Sequence, residues 1–164
     1  MNVPFLIEAL KDFTEKAVAD FSLPCALQKG DREQIYRAPE VHKMRLPDST
    51  SYEKKAPYII IRYLKSVDRQ KNSRHGDSLA TVRFIFVVYG EDEESGSMSL
   101  LNVMERVKSE LMKTVVIGNV FRLDTETGLE ATVYTEDTSP YFGGEMIGTF
   151  YLPCAERTVN LYEK

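Results

Sequence analysis

Two cysteines, two histidines and no surplus of positive charge leave little material for several common chemistries. Cys25 and Cys154, each preceded by Leu-Pro, form neither a zinc-finger spacing nor a redox pair. Two reduced thiols are expected of a cytosolic product, with one bridge closing nearly the whole chain as the alternative. His42 and His75 both fall in polar segments, and neither has a nucleophile nearby in a recognisable frame. No G-x-S-x-G elbow, P-loop or H-E-x-x-H motif occurs. No enzyme activity and no cofactor are therefore expected, although a triad assembled only in space leaves no sequence spacing to read.

A net charge of -4 argues against a dedicated duplex-binding protein, which usually needs a basic surface. A local basic patch stays open. No apolar run approaches the roughly 20 residues of a membrane-spanning helix. Lys11, Asp12, Glu15 and Lys16 interrupt the first apolar stretch, so neither a signal peptide nor a membrane partner is expected, and synthesis is expected in the cytoplasm.

What remains is an ordinary globular composition, 43% hydrophobic and 28% charged over 164 residues, which suits a single domain with one core. Leu6, Leu10, Phe13, Ala17 and Phe21 recur at steps of three and four and predict a helix over 4–21. Asn2 is its expected cap, and Pro4 is tolerated in the first turn. Residues 25–55 are polar and irregular, with a short strand expected within Val41 to Leu46.

Residues 57–64 carry Tyr58, Ile59, Ile60, Ile61, Tyr63 and Leu64, a β-forming run suited to a strand covered on both faces. Residues 80–90 alternate, with Val82, Phe84, Phe86 and Val88 on one face and Arg83, Ile85, Val87 and Tyr89 on the other. A second helix is expected over 97–114, its buried stripe being Leu100, Met104, Val107 and Leu111. Strands follow at 120–123, 130–135 and 146–152. The order predicts an α+β fold: a mostly antiparallel sheet with both helices on one face.

Three places invite a functional reading. Residues 66–78 lack apolar anchors after Val67 and predict a long mobile loop bearing Arg69, Lys71, Arg74 and His75. Such a loop is ordinarily just solvated; contact with a partner or with phosphate is the alternative. Glu91 to Glu94 lack the alternating ligand pattern of a calcium loop and read as charges favouring a helix start. Tyr141 and Phe142, between Pro140 and two glycines, read as a loop plug over the core or as an exposed aromatic knob.

The run APYIIIR (Ala56 to Arg62) is followed by the charged segment and then by ATVRFIFVVYGEDEE (Ala80 to Glu94). LLNVMERVKSEL (Leu100 to Leu111), FRLD (Phe121 to Asp124) and SPYFGGEMIGTFYLP (Ser139 to Pro153) come next, with PEVHKMRLP (Pro39 to Pro47) ahead of them all. This order resembles the tail-terminator, or tail-completion, proteins of tailed bacteriophages and prophages over roughly residues 39–157. The resemblance implies a non-enzymatic subunit of a homo-oligomeric ring, commonly a hexamer, that caps the tail tube. Its implied partners are the tail-tube protein and the head–tail connector. DNA would pass through the ring without sequence-specific binding. The implied locations are the bacterial host cytoplasm during assembly and then the tail or neck of the virion. The family offers no catalytic residues to carry over.

Candidate contact elements are segment 66–78, segment 139–145 and a C-terminal tail over 154–164. Another head–tail joining or minor capsid protein is the near alternative. A small regulatory binding module, a stable monomer with one basic or aromatic patch, is the distant one. An enzyme would instead need a deep polar pocket at His42 or His75.

Overall fold

A computed structural model describes residues 2–27, 30–47, 56–70, 76–136 and 138–155. Its first helix, α1, is Val3–Val18, with Leu6, Ile7, Leu10, Thr14 and Val18 turned inward. Pro4 sits in the first turn as expected, but the Asn2 side chain makes no cap bond. The helix ends before Phe21 because a later element caps it: Arg106 donates to the Ala17 carbonyl at 3.2 Å and to the Asp20 carboxylate at 2.7 Å. A guanidinium at the carbonyl end of a helix also complements its dipole. The same group lies 4.9 Å from the Phe21 ring centroid.

Two short strands, β1 (Leu23–Pro24) and β2 (Tyr36–Arg37), pair with each other. The main sheet takes β3 (Glu40–Lys43), β4 (Tyr58–Gln70) and β5 (Gly76–Tyr89). After helix α2 (Glu93–Thr114) it adds β6 (Val116–Ile117), β7 (Phe121–Leu123), β8 (Glu130–Val133) and β9 (Tyr141–Leu152). Its order is β3-β4-β5-β9-β7-β6, with β8 also on β9, and only the β3–β4 pair is parallel.

Alternation along β5 sets the layers. Ala80, Val82, Phe84, Phe86 and Val88 are buried toward both helices, with Ile59, Ile61, Met146 and Phe150 beside them. Phe13 is only half-buried at the margin of this core. Leu100, Val103, Met104, Val107 and Leu111 supply the stripe of α2. Ile60, expected in the same core, is buried on the opposite face with Leu46, Ala56 and Tyr58. The architecture is therefore α+β, mostly antiparallel, with both helices on one face of the sheet.

Helix α2 begins four residues earlier than the periodicity predicts. Asp92 caps it, accepting the Ser95 N–H at 2.8 Å and the Ser95 hydroxyl at 2.7 Å. The Ser95 N–H, and then its hydroxyl, hold the Asp92 carboxyl below its ordinary range. Glu93 and Glu94 fall in the first turn, where the dipole favours carboxylates. The acidic run is thus the start of the helix.

Candidate functional site

The segment expected as a mobile loop over 66–78 is largely two paired strands. Val67 lies opposite Leu79, Asp68 opposite Ser78, Arg69 opposite Asp77 and Gln70 opposite Gly76. Side-chain alternation had little to report here, because residues 64–70 are exposed on both faces. Backbone pairing, which polarity does not reveal, continues past the core. Arg69 is therefore a strand residue, while Lys71, Arg74 and His75 lie outside the described residues.

Among the described residues, the hairpin leaves one edge uncovered. β3 accompanies β4 only from Tyr58 to Ile61, and the Met44 N–H donates the last bond, to the Ile61 carbonyl at 2.8 Å. Met44 has φ +64°, in the left-handed region that turns the chain away from the sheet. Beyond it, among the described residues, β4 pairs with β5 alone from Arg62 to Gln70. An open groove of about 400 Å³ lies at this point, lined by Val3, Pro4, Ile7, Met44 and Tyr63.

The opposite side of the sheet has a second edge that is open among the described residues. β8 pairs with β9, and all four of its residues are exposed. Val133 and Tyr134 are among the exposed large apolar side chains. The Tyr134 hydroxyl donates to the Glu145 carboxylate at 3.3 Å, and Arg83 Nε lies 3.0 Å from the same oxygen. Burial, and then the Glu145 charge, push the Tyr134 phenol above its ordinary value.

Tyr141 and Phe142 do not stand on a loop. β9 begins at Tyr141, five residues earlier than expected, and continues through both glycines. The Tyr141 ring lies 5.7 Å from that of Tyr89. Phe142 is half-buried against the main core, under the first turns of α2. A Cβ on Gly96 would come 2.1 Å from Phe142 Cε2, so the glycine makes room for the ring. The plug reading fits Phe142 and the exposed-knob reading does not.

Of the other sequence candidates, His42 Nε2 is 3.3 Å from a Glu40 carboxylate oxygen on the same strand, an ion pair only when the imidazole is protonated. Cys25 and Cys154 are both unbridged. Of the C-terminal tail, residues 156–164 lie outside the described residues. The structure thus separates Tyr141 and Phe142, opposite Tyr89 and Val88, from Arg69, opposite Asp77 at the other end of β5. Among the described residues it offers instead two exposed strand edges that sequence reasoning missed. The only available signal was the cluster of Arg62, Lys65 and Arg69 set against a cation-free stretch from Glu130 to Glu136. In comparison with known proteins, no family model and no curated protein matches the chain.

Proposed function

We propose that this chain is a structural subunit of a tailed-phage or prophage particle, a tail-terminator protein that caps the tail tube as a homo-oligomeric ring. One observation carries the reading: among the described residues, the main sheet is open along β4 from Arg62 to Gln70 on one side and along β8 on the other. A subunit with different open edges on its two sides is suited to repeated head-to-tail contact. Such contacts between identical chains generate rings when the rotation closes. The segment order that resembles tail-completion proteins supplies the particle to which the ring belongs.

In this reading the ring stops tube growth at a set length and offers its other surface to the head–tail connector. It acts by shape and contact, and DNA passes through it without base recognition. Weak single contacts suffice, because several act together once the tube end presents matching symmetry. Subunits accumulate in the host cytoplasm and end in the virion neck.

Particles assembled without the chain test this. Heads should fill with DNA, while tails lose length control or fail to join heads. Tails of normal length joined normally to heads would reject the reading. Tails of normal length left unjoined would move the chain to a head–tail joining role.

A further inference from the structure

The two edges left open among the described residues match in direction and in charge. β4 is antiparallel to β5, β5 to β9 and β9 to β8, so β8 runs antiparallel to β4. A second copy approaching head to tail therefore presents its β8 to the β4 edge in the antiparallel sense that strand pairing favours.

The cations of β4 share one face. Arg62 lies opposite Arg83, Lys65 opposite Thr81 and Arg69 opposite Asp77, all positions of β5 that point away from the helices. The one carboxylate of this edge, Asp68, is opposite Ser78 on the other face and accepts its hydroxyl. Glu130 and Thr132 of β8 fall on the same outer face, opposite Ile147 and Glu145. Tyr134 continues that face through its bond to Glu145, while Glu136, at the end of the sheet, borders both a cavity with Tyr58 and Val87 and one with Glu93 and Leu100 of α2.

A bulge sets the spacing of the β4 cations. The β4–β5 register shifts between Tyr63 and Lys65, so Leu64 is an extra residue. Arg62 and Arg69, seven apart in sequence, are consequently six ladder steps apart, as their partners Arg83 and Asp77 show. Glu130 and Glu136 are six residues apart in sequence, with β8 ending at Val133 and Glu136 in the bend that follows it.

We propose that β8 of one copy adds to the β4 edge of the next, placing Glu130 opposite Arg69 and Thr132 opposite Val67, with Tyr134 and Glu136, which follow β8, on the side of Lys65 and Arg62. The inference rests on the reading that the chain assembles with itself. It names the contact. Charge also selects against the alternatives. β4 against β4 sets cations on cations, and β8 against β8 sets carboxylates on carboxylates, so isologous pairing is disfavoured and head-to-tail pairing is left. Charged side chains on an edge usually serve to prevent pairing. Here each edge carries one sign on its outer face, which blocks self-pairing of that edge while admitting the other.

Charge reversal tests the contact by sedimentation velocity of the full chain over a concentration series. The native chain should associate at high concentration. Arg62→Glu with Lys65→Glu and Arg69→Glu should weaken association by about a hundredfold or more, as should Glu130→Lys with Glu136→Lys. An equimolar mixture of the two variants, or one chain carrying both sets, should recover it. Circular dichroism of each variant should match the native chain, since all five side chains are exposed. A native chain that stays monomeric overturns the contact, as does a reversal without effect or a failure of the combined reversal to recover association. As a check on register, Val67→Cys with Thr132→Cys, in a Cys25→Ser/Cys154→Ser background, should form intermolecular disulfides on oxidation. Purely monomeric product would overturn the register. These outcomes are independent of the tail phenotype, which tests the particle assignment alone.

Discussion

The Tyr63 main-chain N–H lies 3.4 Å from the Met44 thioether sulfur, at the point where β3 leaves β4. A weak sulfur acceptor closes the covered part of the edge, and beyond Tyr63 β4 has β5 on one side and, among the described residues, no strand on the other. The boundary between core and contact surface on β4 is therefore set by one turn of β3.

The core should respond to truncation in the ordinary way. Phe84 is fully buried between the sheet and the helices. Phe84→Ala should cost about 3–5 kcal/mol. A urea midpoint close to that of the native chain would contradict the layer assignment.

Gly96 and Phe142 should behave as a coupled pair. Gly96→Ala sets a Cβ against the Phe142 ring and should destabilise by about 1–3 kcal/mol through overpacking. In a Phe142→Ala background the same change should cost markedly less, because the clashing atoms are gone. Equal costs in the two backgrounds, measured by denaturant titration, would count against the packing of Phe142 beneath α2.

Asp124 should make the turn after β7 sensitive to acid. Its carboxylate accepts the Thr127 hydroxyl at 2.6 Å and the Glu126 N–H at 3.2 Å. The Thr127 hydroxyl, followed by the backbone N–H groups, holds its pKa below the ordinary value. A depressed carboxyl contributes stability that is complete above its unfolded pKa, about 3.9, and is lost as pH falls through the lower folded value. The stability gap between the native chain and Asp124→Ala should thus be constant at neutral pH and narrow below about pH 4. A gap that widened on acidification would refute the assignment.

Much of the architecture was legible because it lies where burial and periodicity coincide. The stripe of α2 and the two faces of β5 follow from spacing alone, as does the placement of both helices on one face. The far half of the β4–β5 hairpin was not legible. Residues from Lys65 to Gln70 are solvated on both faces, so their strand state rests on backbone pairing with a distant segment and leaves no hydrophobic alternation. The start of β9 was missed for a related reason. Gly143 and Gly144 suggest a loop, but a side chain at Gly144 would meet Met104 Sδ at 2.7 Å and the Thr132 carbonyl at 3.0 Å. They are strand residues kept small by close neighbours. The two edges became a candidate surface only once register had brought Glu130 and Arg62 onto one face.

Amide hydrogen exchange distinguishes the hairpin from a loop. Amides of residues 77–80, paired with β4 on one side and with β9 from Ser78 onward, should exchange slowly in the isolated chain. Uniformly fast exchange from Ser66 to Ala80 would restore the loop reading.

The chain is proposed to close into a ring on a tail tube. Electron microscopy of purified tail tubes mixed with the full chain addresses it directly. A single closed ring at one end of each tube, sharing the tube's rotational symmetry and halting its growth, is the predicted result. Tubes that continue to elongate with both ends bare would contradict it.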